Sequence, residues 1–305
     1  MARAHHTTHA QGAEKLKGHL AMVFFAAFIA GSFSLGKLTT PYIGPAALNG
    51  ARFVLAALIM GVLAFGVRRE TLKWPPASWR FVLLGFCMAV YFVTMFMALA
   101  LTSPVSTSAV FTLTPIMTAI FAYFLLSQNV RWAAMVSLLC AGIGSIWVIF
   151  RGDYQALAGF EIGVGELIFL AGCACYALFT ALLRKFNRGE SLPVSTFYIL
   201  IATTIWVGLY GFGEISRTDW ASLPPLVWFV LLYLAIFTTA ITLFLVQYAS
   251  MRLPASKVQA YGYLVPAFVI AYEGLAGHGW VSLTVMAGAI VTVLGMVILA
   301  LVPDK

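Results

Sequence analysis

Between Leu101 and Thr118 the chain reads LTSPVSTSAVFTLTPIMT, a run of hydroxyl side chains and two prolines set inside an apolar stretch too long for a soluble core helix. Hydroxyls give and accept hydrogen bonds without carrying charge, which suits them to a neutral or zwitterionic solute. Roughly 150 residues on, Leu253 to Tyr272 reads LPASKVQAYGYLVPAFVIAY, again with two prolines and interleaved polar and aromatic residues. Within it Gln259, Tyr263, Pro266, Ile270 and Glu273 step by four, three, four and three, and so share one helical face. Aligning the prolines maps that face onto Ser108, Thr112, Pro115, Ala119 and Ala122. Two half-polar stripes of this kind can form the wall of a polar path through a bilayer. The competing reading is that each hydroxyl bonds its own backbone or an adjacent helix and serves packing.

Further candidates for a cavity wall are Tyr91, Thr94, Phe96, Thr238, Thr239, Thr242 and Gln247, with Trp147, Trp206 and Tyr176 as aromatic surface. Ionisable groups inside apolar runs are costly and mark function by default. Arg52, about 10 Å along a helix from Pro45, can hold a carboxylate through a bidentate pair or snorkel outward to carbonyls. Glu273 can couple a proton or sit hydrated in an outer vestibule, while Lys37, Glu166 and His19 fall near helix ends. Pro104, Pro115, Pro254 and Pro266 remove backbone donors and are candidate hinges. Cys87, Cys140, Cys173 and Cys175 lie in apolar runs as small hydrophobes, so neither a disulfide nor a metal centre is expected. No cluster of His, Glu or paired Asp at membrane depth can be assembled, so the sequence does not read as an enzyme, and no cofactor is expected.

The elements that must position these residues follow from composition. The 305 residues are 62% hydrophobic and 9% charged, with a mean hydropathy of +0.97, far from soluble domains at about 25% charged. At about 20 residues per crossing, ten apolar runs account for most of the chain: 20–38, 45–67, 78–101, 104–126, 132–150, 165–183, 193–213, 226–248, 256–276 and 280–302. Helices are required because an open sheet edge cannot be satisfied in lipid. The net charge of +8 lies mostly in short loops and so reads as a topology signal rather than a nucleic-acid surface. Arg151 and Arg217, with Lys37 and Arg52 near the first outer turn, stand apart from the remaining fourteen of 18 cations, which places both termini in the cytoplasm.

Internal similarity divides the chain. Pro45 pairs with Pro193, FVLL at 81–84 with FVLL at 229–232, Pro104 with Pro254, Pro115 with Pro266 and Gly142 with Gly295, at offsets drifting slowly from 148 to 153. The expected organisation is a cytoplasmic tail at 1–18, a first five-helix repeat at 19–150 and a second at 151–305. Five is odd, so the second repeat enters the membrane upside down, as in secondary transporters with sites at the repeat interface.

GSFSLGKL at 31–38, PAALNGARF at 45–53 and ALALTSPVSTSAVFTLTPIMT at 98–118, with CYALFTALLRK at 175–185 and QYASMRLPAS at 247–256, resemble the ten-helix, EamA-type branch of the drug/metabolite transporter superfamily. The resemblance covers the chain after its tail. It implies an all-α integral membrane protein, two inverted repeats around a central cavity, in a bacterial inner membrane. It implies alternating-access export of small metabolites, most like exporters of aromatic and other neutral amino acids, acting as a monomer or weak dimer. A multidrug or cationic-compound exporter working by proton antiport is the alternative, with Glu273 as its candidate acid. The lack of an acidic residue in the first helix weighs against that alternative.

Overall fold

A computed structural model describes residues 12–127, 132–159, 162–250, 252–253, 258 and 260–301, and its regular structure there is entirely helical. The helices are α1 (Ala13–Thr39), α2 (Pro45–Gly61), α3 (Trp79–Leu101), α4 (Pro104–Phe111), α5 (Thr114–Leu126), α6 (Trp132–Ile149), α7 (Tyr154–Ala158), α8 (Val164–Phe186), α9 (Leu192–Arg217), α10 (Pro225–Ala235), α11 (Thr242–Ser250), α12 (Val265–Leu275) and α13 (Leu283–Leu301). Seven continuous stretches are long and apolar enough to cross a membrane, and Met135–Ile149 and Leu283–Ile298 are shorter apolar helices. Pro45, Pro104, Pro193 and Pro225 each lie in the first two positions of a helix, where the missing N–H is an orphan anyway.

The first helix begins at Ala13, inside the stretch expected as tail. Its first turn is held by Lys17 on Glu14 at 2.6 Å, and Glu14 also takes Arg252 from the second half at 2.9 Å. Two further departures from a plain helix matter. A π turn at Val62–Val67 continues α2, and another at Ile236–Ile241 joins α10 to α11. The hydropathy pattern carries no trace of either, because one extra residue in a turn barely changes the mean hydropathy of a long apolar run.

The run at 104–126 is divided. Thr112 and Leu113 bond back three residues, to Ala109 and Val110, before α5 restarts with Pro115 in its first two positions. A 3₁₀ turn at Tyr261–Leu264 precedes α12 in the same way, with Pro266 in its first two positions. Pro115 and Pro266 therefore mark matching breaks. Pro104, by contrast, opens α4 and bends nothing, and Pro254 lies outside the described residues.

Contacts follow the repeat. α1 packs on α11 as α8 packs on α3, α5 meets α8 as α12 meets α1, and α2 with α9 and α6 with α13 pair across the halves. α1 starts beside Arg252 and ends with Lys37 beside Leu99, whereas α8 starts with Glu166 beside Thr102 and ends with Phe186 beside Arg80. The equivalent helices thus run in opposite directions. The α6–α13 crossing is close because a Cβ on Gly144 would sit 2.5 Å from the Gly288 carbonyl.

Candidate functional site

Halfway along α2, Arg52 is 1% exposed. Its Nη2 donates to Thr238 Oγ1 at 3.0 Å, across the boundary between halves, and its guanidinium carbon lies 4.2 Å from the Phe92 ring centre and 5.4 Å from that of Phe53. Thr238 can accept because its own hydrogen goes to Leu234 O at 2.7 Å, and the π turn at Ile236–Ile241 presents it there. π turns recur at functional sites. Nε and Nη1 of Arg52 have no partner among the described residues. The outward snorkel is therefore not the arrangement found.

Asn49, one turn earlier on α2, is fully buried. Its Nδ2 donates to Pro45 O at 2.8 Å and Phe92 O at 3.3 Å, which fixes the orientation of the amide and leaves Oδ1 unpaired. Cation–π contact contributes about 2 kcal/mol when desolvated, less than the several kcal/mol that an uncompensated buried ion costs. The polar atoms here are underpaired.

Beside them lies an aromatic cluster from four helices. Tyr91 on α3 has its ring centre 4.7 Å from Phe92, 4.7 Å from Tyr176 and 5.5 Å from Phe169 on α8. Phe111, at the end of α4, is 6.1 Å from Tyr176 and 6.0 Å from Phe33 of α1. Neither the Tyr91 nor the Tyr176 hydroxyl is hydrogen-bonded among the described residues. The described carboxylates lie elsewhere, at the two ends of the bundle and in its loops.

The hydroxyl stripe is deployed differently from the cavity reading. Ser108 donates to Val105 O at 2.8 Å, Thr94 to Val90 O at 2.7 Å, Thr239 to Leu234 O at 3.1 Å and Thr242 to Thr238 O at 2.9 Å. Thr112 bonds Ala109 O at 2.6 Å and Ser145 of α6. Its pseudo-equivalent Tyr263 packs on Ala141 and Leu138, also of α6, with its hydroxyl unpaired. In this structure Thr112 and Tyr263 thus face α6 rather than a shared open path. Gln259 and the Gln247 side chain lie outside the described residues. Phe92 and Asn49 went unnoticed in the sequence as site residues; the signal for Asn49 is an amide three residues before a span arginine, on the same face.

The two ends of the bundle differ. At the Lys37 end an open cleft of 760 Å³ is lined by residues that include Lys37, Thr102, Ser103, Arg151, Glu273 and His278. Glu273 there accepts from or pairs with His278 Nδ1 at 2.8 Å. Glu166 takes the hydroxyls of Thr102 and Ser106, each at 2.6 Å. At the opposite end Glu14 holds Arg252, His19 Nδ1 meets Tyr261 Oη at 2.6 Å, and Arg80 holds Glu190 at 2.6 Å. Partners from both halves tie that end together.

Comparison with known proteins agrees with this architecture. The EamA-like transporter family model matches twice, over residues 16–150 and 163–301. The chain belongs to the EamA-like transporter family, within the drug/metabolite transporter superfamily, and is a multi-pass membrane protein. Among relatives, an uncharacterized transporter of Bacillus subtilis, YyaM, is 27% identical over 91% of this chain and 92% of that protein. An S-adenosylmethionine/S-adenosylhomocysteine transporter of Chlamydia trachomatis is 30% identical over 57% of this chain and 55% of that protein. A solved crystal structure covering 96% of this chain and 100% of its own superposes with a TM-score of 0.68 at 20% identity, a likeness of fold.

Proposed function

We propose that this protein crosses the inner membrane ten times with both termini in the cytoplasm, and exports small amino-acid-like metabolites by alternating access. Aromatic and other neutral amino acids are the preferred cargo. The observation that carries this reading is the aromatic cluster of Tyr91, Phe92, Phe111 and Tyr176, in edge-on and tilted contact beside one guanidinium, with carboxylates held at the ends. Such a lining suits an aromatic or apolar side chain carried by a zwitterion and disfavours a polycation, whose charge calls for a buried acid. The matched breaks at Pro115 and Pro266 supply places where paired helices can bend, and the open cleft opposite a tied end supports an outward-facing state.

A second cargo has specific support. Relatives named for S-adenosylmethionine and S-adenosylhomocysteine point to solutes that join an α-amino acid to an adenine ring, which can stack on tyrosine. Both readings are separated by flux in proteoliposomes holding the purified protein, with L-phenylalanine, L-tryptophan and S-adenosylmethionine as probes, each with and without a pH gradient. Saturable flux of one is expected; absence of saturable flux for all three overturns the reading. Proton antiport through Glu273 requires that Glu273→Gln abolish the effect of the gradient.

A further inference from the structure

The underpaired polar atoms on α2 have a common logic. Arg52 has guanidinium hydrogens to give at Nε and Nη1, while Asn49, three residues before it on the same helical face, has a lone acceptor at Oδ1. Both side chains are at most 1% exposed, and both sit against Phe92. A donor group carrying positive charge beside an acceptor is the complement of one chemical unit, a carboxylate with an ammonium on the adjacent carbon.

We infer that Arg52 and Asn49 form the subsite for the α-amino acid head of the cargo, with Arg52 donating to its carboxylate and Asn49 Oδ1 accepting from its α-ammonium. This deepens the transport reading and rests on it. Thr238 positions the arginine: its hydroxyl accepts one Nη2 hydrogen and leaves the second, beside the unpaired Nε–H or Nη1–H, for the two carboxylate oxygens. Phe53 and Phe92 flank the guanidinium and keep water from competing. The remainder of the cargo then extends toward Tyr91, whose ring lies 4.7 Å from that of Phe92, and on to Tyr176. The site lies where halves meet, since Arg52 and Phe92 come from the first and Thr238 from the second. Rocking of one half on the other would therefore remake the Thr238 contact and couple head-group binding to the conformational change.

The test compares a cargo with its analogues lacking one head-group charge. Flux of L-phenylalanine, phenethylamine and 3-phenylpropionate is measured in proteoliposomes of the wild-type protein, Arg52→Gln, Arg52→Lys and Asn49→Leu, each checked for monodispersity and thermal stability in detergent. S-adenosylmethionine is run against its decarboxylated form in parallel. The wild type is expected to favour each carboxylate-bearing zwitterion over its decarboxylated analogue by tenfold or more. Arg52→Gln should erase that ratio while leaving phenethylamine flux in place, and Arg52→Lys should fall between. Asn49→Leu should erase the preference for L-phenylalanine over 3-phenylpropionate, which keeps the inference testable if Arg52→Gln does not fold. Cargo flux with no carboxylate preference in the wild type, or a ratio unchanged in Arg52→Gln, overturns the subsite and leaves the transport reading standing. A loss shared equally by all analogues in well-folded variants also overturns it, as a structural role predicts. No flux of any probe in the wild type overturns the transport reading itself.

Discussion

At the scale of single residues, charge within this bundle has divided roles. Lys37 is one turn from the end of α1, and its Nζ donates to Leu99 O at 2.5 Å and to Thr102 O at 3.1 Å, with Ala100 O at 3.4 Å. These carbonyls end α3, where orphan acceptors and the negative end of the helix dipole both favour a cation. Replacing Lys37 by Met keeps the length of the side chain and removes the donors. The expected loss is about 1–3 kcal/mol from unsatisfied carbonyls, read as a lower melting temperature in detergent with little change in the selectivity among cargo analogues. Arg52 behaves in the opposite sense, because its partners are too few for a purely structural group. The residue type and depth of both cations were readable in the sequence. Which of them caps a helix was not, since Leu99 and Thr102 are more than sixty positions from Lys37 and meet it only through packing.

At the scale of elements, helix spacing is set by glycine. A Cβ on Gly144 would stand 2.5 Å from Gly288 O and 2.7 Å from the Thr292 backbone nitrogen, and backbone cannot swing aside as a flexible side chain can. Gly144→Val should therefore part α6 from α13, destabilising the protein by about 1–3 kcal/mol and lowering its melting temperature. Gly213→Ala is the control, because nothing lies within 4 Å of its added carbon. One helix of that pair, α6, receives both Thr112 and Tyr263. The sequence pairs these two as equivalents, 151 residues apart, through the prolines that follow each by three positions. It could not say what they face, because a helix with polar residues on several sides gives no unique orientation.

At the scale of the whole molecule, one end is tied by ion pairs between segments that must separate if access alternates. Glu190, in the loop between α8 and α9, loses some hydration, which pushes its carboxyl up. The Arg80 guanidinium at 2.6 Å and the Arg188 backbone N–H outweigh that and hold it below the ordinary value of 4.5. A carboxyl lowered in the folded protein stabilises above its unfolded value, and that contribution is lost as pH falls through the folded one. Acidifying from pH 6 to below about 4 should thus reduce the melting temperature of the wild type more than that of Glu190→Gln. The measurement is thermal unfolding across that window in detergent; equal slopes would show that the tie contributes nothing to stability.

The sequence by itself determined that the chain lives in a membrane, that it is built from apolar helices, and that its two halves repeat. These follow from local quantities, namely hydropathy over a span's length and proline and glycine punctuation at a steady offset. It also marked Arg52 as an expensive residue. Only the tertiary structure decided that Arg52 lies against Phe92 with Nη2 on Thr238 and its other nitrogens unpaired, that Asn49 stands beside it with a free acceptor, and that Thr107, Ser108 and Thr112 turn to backbone or to α6. Those facts depend on which faces of α2, α3 and the π turn at Ile236–Ile241 meet across the two halves. In a chain apolar on almost every face, hydrophobic periodicity cannot choose among faces; close packing and hydrogen-bond satisfaction between distant segments do.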